Sequence, residues 1–391
     1  MSATPRVLLI SGEYPPMEGG VGDYTRVLSE ALVDRGAMVQ VLTSHHAAAG
    51  RDGSDGAVRV HATMRDWRWG SLYSAVGDLL RGDPTDVVHI QYQTAAYGMH
   101  PAINLLPRRF RHTPFVVTFH DLRVPYLFPK AGPVRRWANL ALAQGCRATI
   151  VTNEEDRLML ADRQGISHLE VIPIGSNISC APPEEMDRTV WRARYGVGED
   201  GLLLCYFGFL NDSKGGEELI AALDILCRRG RDAYLLMIGG NVGASDPTNR
   251  AYLSRVQESI RDLGLERRVI WTGFLTSREI SAAFLSADIC VLPYRDGASF
   301  RRGSLMAAIE HGMPVVSTHP QVHLDELVHG ENIWLVPPCD AGALADGVIR
   351  LADDGALRER LGVGARDLAR LFDWDEIAAR TIDLYTRVLP R

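Results

Sequence analysis

The chain has 391 residues, more than one ordinary core accommodates, and its length predicts two domains. Hydrophobic residues make up 46% and charged residues 23%, which fits a globular soluble protein and excludes a disordered one. The formal net charge of −6 leaves no overall basic field, so a general nucleic-acid binder is excluded as well.

Taken in order, residues 6–10 (RVLLI) read as a buried parallel strand by their length and branching. A loop with Pro15-Pro16 and Gly19-Gly20-Val21-Gly22 follows, then a helix with apolar spacing at Val27, Leu28, Leu32 and Val33 that ends at Gly36. Residues 39–43 form the next strand, completing a βαβ unit with neither GxGxxG nor a Walker lysine. The alternation continues with strands at 57–60, 87–90, 115–119 and 148–152 and helices at 72–80, 103–110 and 133–144. His120 and Asp121 stand at the C-terminal end of the 115–119 strand. The rhythm lapses in the polar segment 176–185, where the domain boundary is placed, at residue 180. It restarts with strands at 202–207, 233–238 and 269–271 and helices at 217–229, 252–263 and 277–286. Three helical segments close the chain, the last over 375–389. Cys146, Cys180, Cys205, Cys227, Cys290 and Cys339 stand far apart with no CxxC pair, which predicts reduced thiols in a cytoplasmic protein and no structural zinc. The first apolar run, residues 7–10, is too short for a signal peptide or a membrane span, and no later run reaches span length.

The stretch 291–318 is the most telling. It reads as strand, loop, helix, stop, strand, with Ser304 placed to cap the helix and Gly312-Met313-Pro314 to end it. Such a turn aims backbone N–H groups and a positive helix end at the C-terminal edge of a parallel sheet. Arg301 and Arg302 stand at the mouth of this anion site. Ligands of doubly wound sheets bind at that edge, and two such sheets facing each other leave a cleft.

Seven segments carry a resemblance to the retaining GT-B glycosyltransferases of family four (group 1), and together they run through nearly the whole chain. They are PPMEGGVGDYTRVLSEALVDRG at 15–36, VVTFHD at 116–121, VIPIGSN at 171–177, GFLNDSKGGEELIAAL at 208–223, VIWTGFL at 269–275, LPYRDGASFRRGSLMAAIEHGMPVVST at 292–318 and DWDEIAARTIDLYTRVL at 373–389. The resemblance implies an α/β protein of two Rossmann-like domains: an acceptor-side domain over 1–180 and a nucleotide-sugar domain over 181–370. A C-terminal helix over 371–391 would cross back to the first domain. It implies transfer of a sugar from a nucleotide sugar to a hydroxyl acceptor, such as a lipid-linked or cell-envelope glycan, with no metal, no cofactor and no nucleic-acid partner. By the same resemblance Lys214 takes the family's diphosphate-binding position and His120 faces the reacting sugar. The donor would be held by Gly19, Gly20, Lys214, Ser299, Phe300, Arg301, Arg302, Gly303, Ser304, Leu305 and Glu310, and the acceptor side by Glu18, Val21, Tyr24 and Asp121.

The chain departs from the family pattern at three positions. Phe209 stands where an arginine is usual, and Ser299 and Ala307 stand where two glutamates are usual. Glu310, three residues after Ala307 on the same helix side, is a candidate to recover a carboxylate; the alternative is a surface glutamate. Arg301 and Arg302 make this end of the site more electropositive and are expected to bind the donor phosphates; the alternative is that they are solvated or pair with Asp296. The competing functions are a GT-B protein that binds nucleotide sugar without transferring it, and an epimerase or sugar-phosphate synthase. Finally, Arg108, Arg109, Arg111, Tyr126, Phe128, Lys130, Arg135, Arg136 and Trp137 interleave basic and aromatic residues, which suits an anionic membrane surface at the inner face of the membrane. The alternative there is core aromatics with a solvated charged face.

Overall fold

A computed structural model describes residues 5–17, 19–48, 57–122, 132–239 and 247–389. The chain divides into two compact units, Met1–Gly175 with Phe372–Arg391, and Ser176–Leu371.

The first unit alternates β1 (Arg6–Ser11), α1 (Gly20–Asp34), β2 (Met38–Ser44), β3 (Arg59–Met64), α2 (Trp69–Gly82), β4 (Val87–Tyr92), α3 (Ala102–Arg109), β5 (Phe115–Phe119), α4 (Gly132–Gly145), β6 (Ala148–Val151), α5 (Glu154–Ala161) and β7 (Leu169–Val171). Its seven strands are parallel in the order β3-β2-β1-β4-β5-β6-β7. Successive side chains of a strand face opposite sides, so each strand feeds two cores. Leu8, Ile10, Val88, Ile90, Tyr92, Val117 and Phe119 pack on one side with α2 and α3. Val7, Leu9, Val87 and Val116 pack on the other with Tyr24, Leu28 and Leu32 of α1.

The second unit contains α6 (Arg188–Arg194), β8 (Leu202–Phe207), α7 (Gly216–Arg228), β9 (Ala233–Ile238), α8 (Pro247–Asp262), β10 (Val269–Trp271), α9 (Ser277–Ser286), β11 (Ile289–Leu292), α10 (Gly303–Glu310), β12 (Val315–Thr318), β13 (Trp334–Val336), α11 (Ala341–Asp353) and α12 (Gly355–Ala369). Its six strands are parallel in the order β10-β9-β8-β11-β12-β13. The sequence does not announce α5, α6, β7 or β13, because each is short and polar or lies beside proline, and periodicity needs length to register. The strand expected at 57–60 runs instead from Arg59 to Met64, in register with β2 and with an irregularity at Thr43/Ser44.

The last helix, α13 (Trp374–Val388), belongs to the first unit. Ile377, Ala378, Leu384, Tyr385 and Val388 complete the core beneath α1. The Arg380 guanidinium donates to the Val171 carbonyl at 2.5 Å, and Arg35 and Arg387 pair with Asp375 and Glu170. These ion pairs are partly exposed and each contributes at most about 1 kcal/mol, whereas burying one large aliphatic side chain contributes about 1.5–3 kcal/mol. Apolar contact therefore dominates the docking of α13. Ile377→Ala, at a fully buried position, should destabilise the first unit by about 3 kcal/mol in urea unfolding followed by fluorescence. A loss below about 1 kcal/mol would mean that α13 is held mainly by its ion pairs.

Candidate active site

At the C-terminal edge of the second unit's sheet, β8 runs into Gly208, whose φ of +106° is a conformation that favours glycine. A Cβ on Gly208 would come within 3.1 Å of Lys214 Nζ and 3.7 Å of Ser304 Cβ. The lysine ammonium and the first turn of α10 therefore converge on one backbone position. Lys214 lies in a 3₁₀ turn that Gly215 ends at φ +68°; a Cβ there would meet the Pro293 carbonyl oxygen at 1.9 Å, so only glycine lets this loop close against β11. Arg302 is the N-cap residue of α10, and its side chain makes no capping hydrogen bond. This corrects the expectation that the Ser304 hydroxyl caps the helix. Ser304 lies two positions past the N-cap, and its hydroxyl pairs instead with the buried Tyr294 hydroxyl at 2.7 Å. The Leu305 and Met306 N–H groups donate to the Arg302 carbonyl, which leaves those of Gly303 and Ser304 without an acceptor within the helix.

The charges are sorted with care. Arg302 pairs with Asp296, donates to Ser213 Oγ at 3.2 Å and lies 4.9 Å over the Tyr294 ring. Arg295 is gripped by three carboxylates, Asp212 at 2.6 Å, Glu217 at 2.7 Å and Glu218 at 2.8 Å. Its backbone N–H also donates to the Ser213 carbonyl, so β11 is tied to the loop that carries Lys214. Among the described residues no carboxylate pairs with Lys214 itself. Burial, and then the nearby Arg302 guanidinium, pull the Lys214 ammonium down to about 8. Phe209, in the place of the usual arginine, is half exposed beside this site.

In the first unit, Gly19 is the N-cap of α1, and a Cβ there would fall 2.0 Å from Glu13 Oε2. The Glu13 carboxylate accepts the Gly22 N–H, and burial and Asp23 hold it above the usual carboxylate range. The positive end of α1 thus already faces a carboxylate of its own chain. Gly20 is exposed, with open space where a side chain would stand. His120 follows β5; its ring lies edge-on to Tyr24 at 4.6 Å, and its Nε2 is 3.0 Å from Gln91 Oε1. Burial holds His120 down to about 3, so the imidazole is neutral throughout the physiological range.

Of the residues singled out by sequence, Lys214, Arg302, Gly303 and Ser304 gather around Gly208, with Ser299 and Arg301 in the preceding turn. Phe300 and Leu305 are buried, and Leu305 is core rather than contact surface. Glu310 is the last residue of α10, about 9 Å along the axis from Ser304, and its charge acts on the Cys180 thiol. Ala307 is fully buried and its carbonyl accepts from His311. In the first unit Gly19, Gly20, Val21, Tyr24, His120 and Asp121 are described, with Val21 and Tyr24 buried. Glu18, Tyr126, Phe128 and Lys130 lie outside the described residues. Sequence reasoning missed Glu13, Gln91 and Arg295. Gln91 and His89 had a readable signal: two polar residues at i and i+2 in a strand flanked by apolar ones.

Residues 19–175 match the glycosyl transferase 4-like domain model, and residues 187–368 match the glycosyl transferases group 1 model. Among curated relatives, the GDP-mannose-dependent alpha-(1-6)-phosphatidylinositol monomannoside mannosyltransferase of Mycobacterium tuberculosis is 25% identical over 97% of each chain. The D-inositol 3-phosphate glycosyltransferase of Xylanimonas cellulosilytica is 26% identical over 99% of this chain and 98% of its own. Among solved structures, sucrose-phosphate synthase from Thermosynechococcus elongatus superposes with a TM-score of 0.75 at 22% identity over 98% of both chains. Anabaena HepE, solved with UDP and glucose, gives a TM-score of 0.74 at 19% identity over 98% of this chain and 100% of its own. Two consecutive domain models, in this order and over two parallel sheets of this topology, place the chain in the group 1 glycosyltransferase family with the GT-B fold.

Proposed function

We propose that the protein is a retaining, metal-independent glycosyltransferase whose second unit holds the nucleotide-sugar donor and whose first unit holds a hydroxyl acceptor. The observation that carries the donor assignment is Lys214 Nζ stationed beside Gly208 and Ser304, with no carboxylate of the described chain to neutralise it. In glycosyl transfer a nucleoside diphosphate departs from an oxocarbenium-like sugar, and the protein's main task is to stabilise the departing charge. The α10 end contributes at most about 2 kcal/mol to a bound anion. A positioned charge-assisted donor acting on the departing anion contributes about 3–4 kcal/mol to the barrier, so Lys214 is the dominant group. Arg302 supports it while held by Asp296, and its fork is available to a phosphate only by sharing that carboxylate. In this reading positive side chains and a helix end do the work a metal ion would do. His120, neutral, supplies a hydrogen bond to a substrate hydroxyl.

The relative named for GDP-mannose and phosphatidylinositol monomannoside supports a lipid-linked acceptor, and with it work at a membrane surface. No helix among the described residues is long and apolar enough to cross one. On α4, Val134 and Trp137 are 69% and 57% exposed at i, i+3 spacing beside Arg136, an apolar pair with a basic flank. Replacing both by Ser should reduce co-sedimentation with liposomes that contain anionic lipid. Unchanged binding, or binding indifferent to anionic lipid content, would remove α4 from membrane docking.

A thermal-shift panel of GDP-, UDP- and ADP-sugars identifies the donor, because a ligand bound only by the folded state raises Tm. With the donor in hand, Lys214→Ala should slow transfer about 100- to 1000-fold with unchanged circular dichroism. Near-normal turnover would exclude Lys214. Donor binding without transfer or hydrolysis in the wild-type protein would favour the non-catalytic alternative.

The pH dependence has a definite sign. The free ammonium titrates at about 8, and a bound diphosphate holds its proton more tightly. Affinity for nucleoside diphosphate should therefore be level below neutrality and fall as pH rises through about 8, toward about tenfold per unit. Lys214→Arg should bind with no such decline. A wild-type affinity flat to pH 10 would contradict the assignment.

A further inference from the structure

β4 is the middle strand of seven and all six of its residues are buried, so a continuous apolar run is expected there. Instead His89 and Gln91, both fully buried, occupy the side covered by α1 and α13. Burying such groups is costly unless each finds partners, and here they do. His89 Nδ1 is 2.6 Å from the Tyr385 hydroxyl of α13, and His89 Nε2 is 2.7 Å from Thr118 Oγ1 of β5. The Gln91 amide NH2 lies 3.4 and 3.3 Å from the two His89 ring nitrogens, and its Oε1 lies 3.0 Å from His120 Nε2. The Gln91 backbone carbonyl lies 2.8 Å from the Tyr97 hydroxyl, whose one proton is shared with the Ile10 carbonyl at 2.9 Å. A connected buried network thus runs from the C-terminal helix, through the central strand, to His120.

We propose that Gln91 is a positioning residue that fixes the tautomer of His120, with its own amide oriented by His89, Thr118 and Tyr385. An amide oxygen only accepts, so His120 Nε2 carries the ring proton and Nδ1 keeps its lone pair. Nε2 is engaged inside the unit, and among the described residues nothing bonds Nδ1. His120 therefore meets substrate as a hydrogen-bond acceptor, suited to a sugar or acceptor hydroxyl and unsuited to a phosphate oxygen. The groups facing His120 are Tyr24 from α1 and His89 and Gln91 from β4, with Asp121 next in the chain. Burial leaves both Tyr24 and His89 uncharged at neutral pH. The network also gives α13 a role beyond core packing, because its Tyr385 is the far anchor of the relay.

The inference rests on His120 acting at the site, and the test separates the two. Long-range proton–nitrogen correlation spectra of histidine-labelled protein, with His120→Ala to assign the signal, need no ligand. The wild type should show His120 as one tautomer, protonated at Nε2. Gln91→Leu should populate both tautomers. Gln91→Glu should place a carboxylate on Nε2 and keep the ring charged well above the wild-type titration at about 3. Turnover with the identified donor should fall about tenfold in Gln91→Leu, the weight of one lost hydrogen bond, with donor KM unchanged. In Gln91→Glu it should recover as pH rises and the ring loses its proton. An Nδ1-protonated wild-type ring, or a tautomer unmoved by Gln91→Leu, overturns the inference whatever the activity. If instead the spectra change as expected but His120→Ala turns over normally, the positioning stands and the catalytic reading of His120 falls.

Discussion

Two cations are packed at the end of one strand, and only one of them has a carboxylate. Arg302 takes Asp296, while Lys214, a close neighbour, takes none among the described residues. Burial and a like charge both act against the ammonium, which is why its titration drops toward neutrality. On the proposed reading, the donor's diphosphate supplies the anion that this lysine lacks. The surrounding structure is arranged to keep it so. Three carboxylates in and after the lysine loop are spent on Arg295, whose guanidinium draws Asp212, Glu217 and Glu218 together. Gly208 and Gly215 leave room for the lysine loop to fold over the strand end.

The loss of both usual glutamates fits this electrostatic picture. Ser299 is neutral, and Ala307 is core, so α10 approaches the site without a negative charge in its first turn. On the proposed reading, a donor here would be gripped by its phosphates more than by carboxylates on sugar or ribose. Glu310 does not alter the balance at the Lys214 end, because it terminates the helix and acts on Cys180. The first unit follows the opposite rule. The positive end of α1 already has Glu13, and His120 is a neutral ring set by a buried polar network. One unit presents uncompensated positive charge; the other presents neutral hydrogen-bonding groups.

Much of this was legible in the sequence. The βαβ alternation placed most strands of both sheets, with β7 and β13 missed and β3 shifted, and 291–318 read correctly as strand, helix and strand because Gly312 and Pro314 punctuate it. What escaped has physical reasons. β7 is three residues long with a central glutamate, β13 runs straight into Pro337-Pro338, and α5 is polar on most of its surface. The Ser304 hydroxyl looked like a cap, but the helix starts two residues earlier than a cap at 304 requires, and the buried Tyr294 competes for it. Arg295 looked like one more loop arginine, since its three partners come from residues 77 to 83 positions away. Gln91 was hidden for the same reason: its importance depends on Tyr385, nearly 300 residues distant from its neighbour His89.

The central claim is that Lys214 and the first turn of α10 receive the donor's diphosphate. A crystal structure of the protein soaked with GDP or UDP, whichever binds, tests it most directly. The account predicts a phosphate oxygen within about 3 Å of Lys214 Nζ and of a first-turn amide of α10, with Glu13 still bonded to Gly22. A nucleotide whose phosphates lie elsewhere, with Lys214 left unliganded beside Gly208, would contradict it.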